Sequence, residues 1–216
     1  MAFSGNLLDR RLLLAGGLAL LGALVPARAL GAAAPAATSA EEVVQRLVDR
    51  LWRLLAEQGG SEIDHEAMIA VLDEGTDLSL LGRLVLGRYW RQATPRQRST
   101  YLNLFRRYMV QTFVQRLRQY VATEPGEPRP PFEVVASQPV GNRDILVKSR
   151  VLSASSQPLR VDWRLRERPD GPVVIDLIVE GISLLVTQRS EFAAVLERSG
   201  VDGLLAELHT RVAQPT

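Results

Sequence analysis

Apolar residues recur at spacings of three and four through the first half of the chain beyond residue 40. From Glu41 to Glu57 this spacing forms one continuous apolar face, which predicts an amphipathic helix that ends at Gly59–Gly60. Thr94 and Pro95 have the pattern of an N-cap followed by a first-turn proline, and they open a much longer helix. The helices predicted in this half are Glu41–Glu57, Asp64–Asp73, Leu78–Trp90 and Pro95–Val121.

A proline-rich stretch, Glu124–Pro131, ends the helical pattern because proline removes backbone donors and clashes with the preceding turn. Beyond it the apolar period falls to two, with turn residues between the runs, which predicts a four-stranded antiparallel meander. The four strands are predicted around Phe132–Ala136, Ile145–Leu152, Leu159–Leu165 and Val173–Val179. Two closing helices are predicted at Gln188–Arg198 and Val201–Val212.

This order of elements predicts an α+β fold, with helices at the start, the meander in the middle and closing helices packed over the sheet. We expect one domain over residues 41–216, with a helical part at 41–123 and a sheet-plus-helix part at 132–213. Its length is that of a single domain of ordinary size.

Residues 1–29 have the pattern of a cleaved secretory signal peptide. A charged start ends in Arg10–Arg11, an apolar run extends from Leu12 to Val25, and Ala27 and Ala29 form an Ala-x-Ala cleavage site. The apolar run is too short to span a bilayer, although an uncleaved anchor is the alternative interpretation. Adjacent arginines also occur in twin-arginine signals, so both export routes stay open. Residues 30–40 are predicted to be a flexible lead-in, and the mature protein is predicted to be periplasmic.

Composition narrows the chemistry available to the mature chain. The sequence contains no cysteine, which excludes disulfides, thiolate metal sites and cysteine nucleophiles. Its net charge of +2 comes from residues 1–29, since the charges balance without them, so we expect no nucleic-acid partner. The two histidines, His65 and His209, are far apart in sequence, and we expect neither a bound metal nor a cofactor.

Three groups of polar residues are candidates for catalysis or cation binding. Asp176 and Glu180 are an even number of residues apart on a predicted strand, a spacing that a hydrolase's carboxylate pair could use, although charge near a strand end is the simpler interpretation. Ser183 lacks a Gly-x-Ser-x-Gly context and is interpreted as a turn or capping residue. Asp73, Glu74 and Asp77 could suggest a hard cation, but the loop lacks the alternating oxygen ligands of a calcium site, and they are interpreted as acids at a helix start.

Two segments carry a resemblance to a known family. The first is Asp77–Thr94, DLSLLGRLVLGRYWRQAT, followed by Gln97–Phe105, and the second is Val173–Phe192, VVIDLIVEGISLLVTQRSEF. Together they resemble the MlaC family of periplasmic phospholipid-binding proteins, also called the toluene-tolerance family. The similarity extends over nearly the whole mature chain.

The resemblance implies a carrier rather than an enzyme. It implies that the domain takes phospholipid between the outer and inner membranes as the substrate-binding component of an ABC-type transport system. The implied partners are an inner-membrane ABC transporter complex with a membrane-anchored lipid-binding domain and an outer-membrane lipoprotein complex. A hopanoid or another membrane lipid is the alternative cargo, and a periplasmic hydrolase using Asp176 or Glu180 is the alternative from another class.

A phospholipid carrier needs a hydrocarbon-lined cavity, because exposing two acyl chains to water costs roughly 25 kcal/mol, at about 0.8 kcal/mol per methylene. The resemblance implies that this cavity lies between the helices and the sheet. The predicted lipid-contacting residues are Val85, Leu86, Tyr89, Phe105, Tyr108, Met109, Phe113, Ile182 and Leu184. Ordinary core packing is the alternative for each of them. The arginines between Arg88 and Arg118 are interpreted as a solvated helix face, with a few available to an anionic headgroup or an acidic partner.

Overall fold

The structure, a computed structural model, describes residues 39–57, 63–123, 130–152 and 157–214. The predicted signal peptide and most of the predicted lead-in lie outside these residues. Within them the chain forms helices, then an antiparallel sheet, then a long closing helix, so the predicted α+β fold is confirmed. The elements are α1 (Ala40–Glu57), α2 (His65–Asp73), α3 (Leu78–Leu86), α4 (Tyr89–Gln92), α5 (Pro95–Thr123), β1 (Phe132–Val140), β2 (Asp144–Val151), β3 (Leu159–Arg166), β4 (Val173–Val179), β5 (Ile182–Ser183) and α6 (Leu184–Ala213).

Reciprocal capping motifs start two of the helices. Before α1, the Ser39 backbone N–H donates to Glu42 at 3.0 Å and the Glu42 N–H donates to the Ser39 hydroxyl at 3.1 Å. Thr94 and Gln97 exchange the equivalent bonds at 2.9 and 3.2 Å, which confirms the predicted start of α5. The predicted flexible lead-in therefore reaches two residues too far, because Ser39 is already the cap of α1.

Two glycines with a positive φ interrupt helical segments of the chain. Gly87 has a φ of 56°, so the predicted helix Leu78–Trp90 is divided into α3 and the short α4. Gly200, with a φ of 65° and a ψ of −170°, is a non-helical residue inside α6, so two helical segments meet there, at the break predicted between Arg198 and Val201. The closing helix also begins four residues earlier than predicted, at Leu184.

The sheet is a meander with strand order β1-β2-β3-β4-β5, and every neighbouring pair is antiparallel. The four predicted strands are confirmed. The fifth, β5, pairs only with the end of β4, across a two-residue turn in which Glu180 has a φ of 48° and Gly181 a φ of 82°. A two-residue strand is too short to show a period in the sequence.

Helices contact the sheet along β1, β2 and β4. α1 lies against β1 and β2, while α3 and α6 lie against β4. Val147, Leu165 and Val174 are buried sheet residues of the core. The turn between α2 and α3 joins the sheet, since the Val174 N–H donates to the Gly75 carbonyl at 2.8 Å. This pairing covers part of the β4 edge that the short β5 leaves open.

A buried carboxylate joins β2 to β3 at one end of the sheet. Asp144 is 6% exposed and lies 2.6 Å from an Arg164 nitrogen and 2.9 Å from Arg166 Nε. Burial acts to raise the pKa of Asp144, but the hydrogen bonds from Arg166 and Arg164 outweigh it and hold this pKa below its usual value.

The long helix α5 takes part in two hydrophobic clusters. Its first half places Tyr101 and Phe105 in a cluster with α3 and α6. Its second half places Val110 and Val114 in a cluster with α1, α2 and the sheet. α3 and α5 approach closely at Gly82, whose carbonyl accepts a hydrogen bond from the Tyr101 hydroxyl at 3.0 Å. A Cβ at Gly82 would lie 3.0 Å or less from side chains of α5.

Candidate functional site: an apolar cavity between helices and sheet

An apolar cavity lies between the helices and the sheet, where the two hydrophobic clusters meet. Its empty volume, counted with the part open to solvent, is about 870 Å³. All but three of its lining side chains are apolar or aromatic. The lining residues are Leu47, Leu51, Val71, Leu72, Thr76, Leu78, Leu81, Val85, Met109, Phe113, Trp163, Val174, Ile175, Asp176, Leu177, Leu184, Leu185 and Gln188.

Helical periodicity accounts for two of the cavity walls. On α3, Leu78, Leu81 and Val85 are three and four residues apart, so they project from one face. On α5, Met109 and Phe113 are one turn apart and lie where this helix passes from one cluster to the other. The cavity therefore borders core residues of both clusters without belonging to either one alone.

Asp176 is a buried carboxylate in the cavity wall, and both of its oxygens are hydrogen-bonded within the fold. It is 6% exposed and accepts from the Ser183 hydroxyl at 2.5 Å and from the Leu185 N–H at 2.9 Å. Ser183 in turn accepts from the Val186 N–H at 3.0 Å, so the prediction that Ser183 is a capping residue is confirmed. This arrangement attaches the first turn of α6 to β4.

The prediction that Asp176 and Glu180 share a strand is wrong. β4 ends at Val179, and Glu180 lies in the positive-φ turn that follows. The Glu180 carboxylate accepts from the Arg160 backbone N–H at 2.6 Å. The turn makes the even spacing irrelevant, because residues project alternately only while the chain stays extended.

Gln188 places the only amide group of the lining in the cavity wall. It is 8% exposed, accepts from the Tyr108 hydroxyl at 3.3 Å and donates to Glu191 at 3.2 Å. Arg211 donates to the same Tyr108 hydroxyl at 3.2 Å. The two strongly polar lining side chains, Asp176 and Gln188, therefore already have partners within the protein.

Asp77 fixes the start of α3, the helix that supplies three lining residues. Its carboxylate accepts from the Leu80 N–H at 2.8 Å, as the capping interpretation predicted, and lies 2.6 Å from Arg168 in the loop after β3. Burial acts to raise the pKa of Asp77, but the Leu80 bond and the Arg168 ion pair outweigh it and lower this pKa.

The model of the MlaC protein family matches residues 41–210. This chain belongs to the MlaC family. Every lining residue of the cavity lies inside the matched range, and the resemblance carried by Asp77–Thr94 and Val173–Phe192 is confirmed.

Two individual proteins are similar to this chain. The intermembrane phospholipid transport system binding protein MlaC of Haemophilus influenzae is 20% identical over 189 residues, which cover 83% of this chain and 85% of that protein. The fold is similar to that of a phospholipid-binding protein from Ralstonia solanacearum, solved in complex with a phospholipid. That match has a TM-score of 0.62 and 24% identity, and it covers 81% of this chain and 94% of the other.

The residues predicted to contact lipid occupy different places in this MlaC-family fold. Those that line the cavity are Val85, Met109, Phe113 and Leu184. Leu86 and Phe105 are buried in the cluster of α3, α5 and α6, and Tyr89 packs against that cluster. Tyr108 reaches the cavity only through Gln188, and Ile182 is 63% exposed.

Sequence reasoning missed several lining residues, including Leu47, Leu51 and Trp163. The apolar faces of their elements were recognised, but a face that borders a cavity has the same period as a face that borders packed core. Only the three-dimensional arrangement of the helices and strands distinguishes a face that borders a cavity from one that borders packed core.

Among the described residues, no three histidine, aspartate or glutamate side chains come together as a metal site. His65 lies at the start of α2 and His209 near the end of α6. Within the same part of the chain, no helix combines the length and apolar composition that crossing a membrane requires.

Proposed function

We propose that this chain binds phospholipid and carries it between the outer and inner membranes, as the substrate-binding component of an ABC-type lipid transport system. The observation that carries this proposal is the apolar cavity between the helices and the sheet. The name of the Haemophilus influenzae relative, a phospholipid transport system binding protein, and the phospholipid held by the Ralstonia solanacearum protein support the same activity.

The chemistry of the wall suits acyl chains. Each methylene moved from water into such a wall gains about 0.8 kcal/mol. Asp176 and Gln188 would each cost free energy next to hydrocarbon if they lacked partners, but both are hydrogen-bonded within the fold. The wall can therefore receive hydrocarbon without leaving these two groups unsatisfied.

The location and partners follow from the same proposal. We place the mature protein in the periplasm after cleavage behind Ala29, where it would exchange lipid with an inner-membrane ABC transporter complex and an outer-membrane lipoprotein complex. Binding and release need no catalytic group. This is consistent with the capping role of Asp176 and the turn position of Glu180.

Organic extraction of the freshly purified mature protein, followed by mass spectrometry, tests the cargo. We expect phospholipid in near-stoichiometric amount. A hopanoid or another lipid in its place would change the cargo but not the carrier role. A protein that contains no lipid and transfers none between vesicles would contradict the proposal.

A pair of matched variants tests whether the cavity is responsible. Leu81→Glu places a charge in the cavity wall, whereas Ser79→Glu places the same charge on the exposed side of the same helix. We expect Leu81→Glu to abolish transfer of fluorescent phospholipid between vesicles and Ser79→Glu to leave it unchanged. Equal transfer by both variants would show that lipid is bound elsewhere.

A further inference from the structure

A second hollow lies where the C-terminal end of α3 meets the middle of α6. Its empty volume, counted with its open mouth, is about 550 Å³. Buried aliphatic side chains and exposed polar side chains both line it. They include Val85, Leu86, Arg88, Tyr89, Arg189 and Leu196. Val85 also lines the apolar cavity, so the two hollows are neighbours that share this side chain.

The charges of the second hollow do not balance. Arg88 Nη2 lies 3.1 Å from Glu197 Oε1 and donates to the Tyr89 hydroxyl at 2.8 Å, and this hydroxyl donates to Glu197 Oε1 at 3.4 Å, so Glu197 is already the partner of both Arg88 and Tyr89. Arg189 has no hydrogen bond or ion pair with any residue that the structure describes. Its guanidinium therefore has no carboxylate partner there, and only the partial negative charge at the C-terminal end of α3 lies beside it.

The backbone of α3 makes room for this guanidinium. α3 ends at Gly87, and a Cβ built there would lie 3.0 Å from Arg189 Nη2. The positive φ of Gly87 and the close approach both favour a residue without a side chain. The guanidinium therefore lies directly against the backbone at the end of α3.

Both segments that carry the family resemblance contribute to this hollow. Asp77–Thr94 supplies Arg88 and Tyr89, and Val173–Phe192 supplies Arg189. The two segments are far apart in sequence, and the contact of α3 with α6 brings them together.

We propose that the second hollow binds an oxyanion of the phosphate type, with the Arg189 guanidinium as its principal ligand and Arg88 and Tyr89 beside it. A guanidinium presents parallel N–H donors that match two phosphate oxygens. A guanidinium without a carboxylate partner can pair with the single negative charge of a phosphodiester. Two sources have this chemistry: the headgroup of a lipid held in the neighbouring cavity, which rests on the proposed function, and free phosphate.

Arg189→Gln tests the site, with Arg198→Gln as its matched control. Arg198 lies on the same helix, is exposed and is 3.8 Å from Glu207, so its replacement removes an equal charge away from the hollow. The purified mature proteins are first delipidated and titrated with inorganic phosphate by calorimetry. They are then loaded with phosphatidylglycerol or with diacylglycerol, which has the same chains and no phosphate, and retention is measured.

If the oxyanion belongs to a lipid, we expect Arg189→Gln to reduce phosphatidylglycerol retention about tenfold, as loss of a charged hydrogen bond predicts, and to leave diacylglycerol retention unchanged. If it is free phosphate, only the calorimetric binding is lost. Arg198→Gln should match the wild type in both arms. The milder Arg189→Lys keeps the charge without the parallel donors and should give an intermediate loss.

The site is overturned if Arg189→Gln and the wild type respond identically to both phosphate and phosphatidylglycerol. A wild-type protein that retains neither lipid contradicts the proposed carrier function instead. In that case the calorimetric arm alone decides whether the oxyanion site exists.

Discussion

The Met109→Trp variant tests whether Met109 lines the lipid cavity or belongs to the packed core. Met109 lines the cavity one turn before Phe113, and its neighbour Val110 is only 1% exposed in the core. An added ring has space to enter at position 109, whereas at position 110 it meets packed side chains. The two substitutions should therefore affect stability and lipid retention in different ways.

The magnitudes follow from the volume that the ring takes. Tryptophan is larger than methionine by about six methylene-sized atoms, and each methylene of lipid that it displaces costs about 0.8 kcal/mol. Displacement of only about two methylenes gives roughly 1.6 kcal/mol, or about 15-fold weaker retention. Overpacking at Val110 should instead destabilise the fold by about 1–3 kcal/mol or more, which lowers Tm by roughly 2–12 °C.

Retention is measured as lipid phosphate per protein after purification, and stability as Tm after delipidation. Arg107→Trp, on the exposed side of α5, is the control for the added ring and should match the wild type in both measurements. The reasoning is refuted if Met109→Trp loses stability as Val110→Trp does while its folded fraction keeps full lipid. Met109 would then be a core residue.

Three further predictions concern the fold and the export signal. Asp144→Asn should lower the Tm at neutral pH, and the Tm difference from the wild type should shrink as the pH falls below about 4. The reason is that the folded-state pKa of Asp144 is lowered, so its carboxylate stabilises the fold above the unfolded pKa and this contribution is lost on acidification. A Tm difference independent of pH would contradict this. Tyr101→Phe removes the hydroxyl donor to the Gly82 carbonyl, a carbonyl inside α3, and should cost about 0.5–1.5 kcal/mol in chemical denaturation, whereas an unchanged midpoint would mean that the bond contributes nothing. N-terminal sequencing of periplasmic protein should begin at Leu30, and material that begins at Met1 would remove the free-carrier interpretation.

The periodic signals of the sequence were sufficient for most of the fold. Apolar spacing and turn residues located α1, α5 and the four long strands, because each contains several periods of its pattern. They did not locate the break at Gly87, since a single glycine does not interrupt the apolar spacing around it, whereas the break at Gly200 lies between the two closing helices that were predicted. β5 was missed because its two residues are held by the turn before it.

The cavity was less predictable than the fold. Phe105, Met109 and Phe113 recur on the apolar spacing of α5, yet only the last two line the cavity. The difference arises because α5 crosses from one hydrophobic cluster to the other, so successive turns of one face meet different partners. Spacing identifies a buried face, but what lies opposite it depends on residues such as Leu47 and Trp163 from distant parts of the chain.

The hydrogen bonds of Asp176 limit how the cavity can widen. Because one carboxylate on β4 holds both the Ser183 hydroxyl and the Leu185 N–H, the first turn of α6 moves together with the sheet. Separating the two breaks both bonds and leaves a buried carboxyl group without these partners, which costs at least the roughly 1 kcal/mol of a lost cap. A cavity that expands around larger cargo with this junction intact has to do so by displacing α1, α2, α3 or α5. The wall formed by β4 and α6 then stays in place, and the helices on the opposite side of the cavity move.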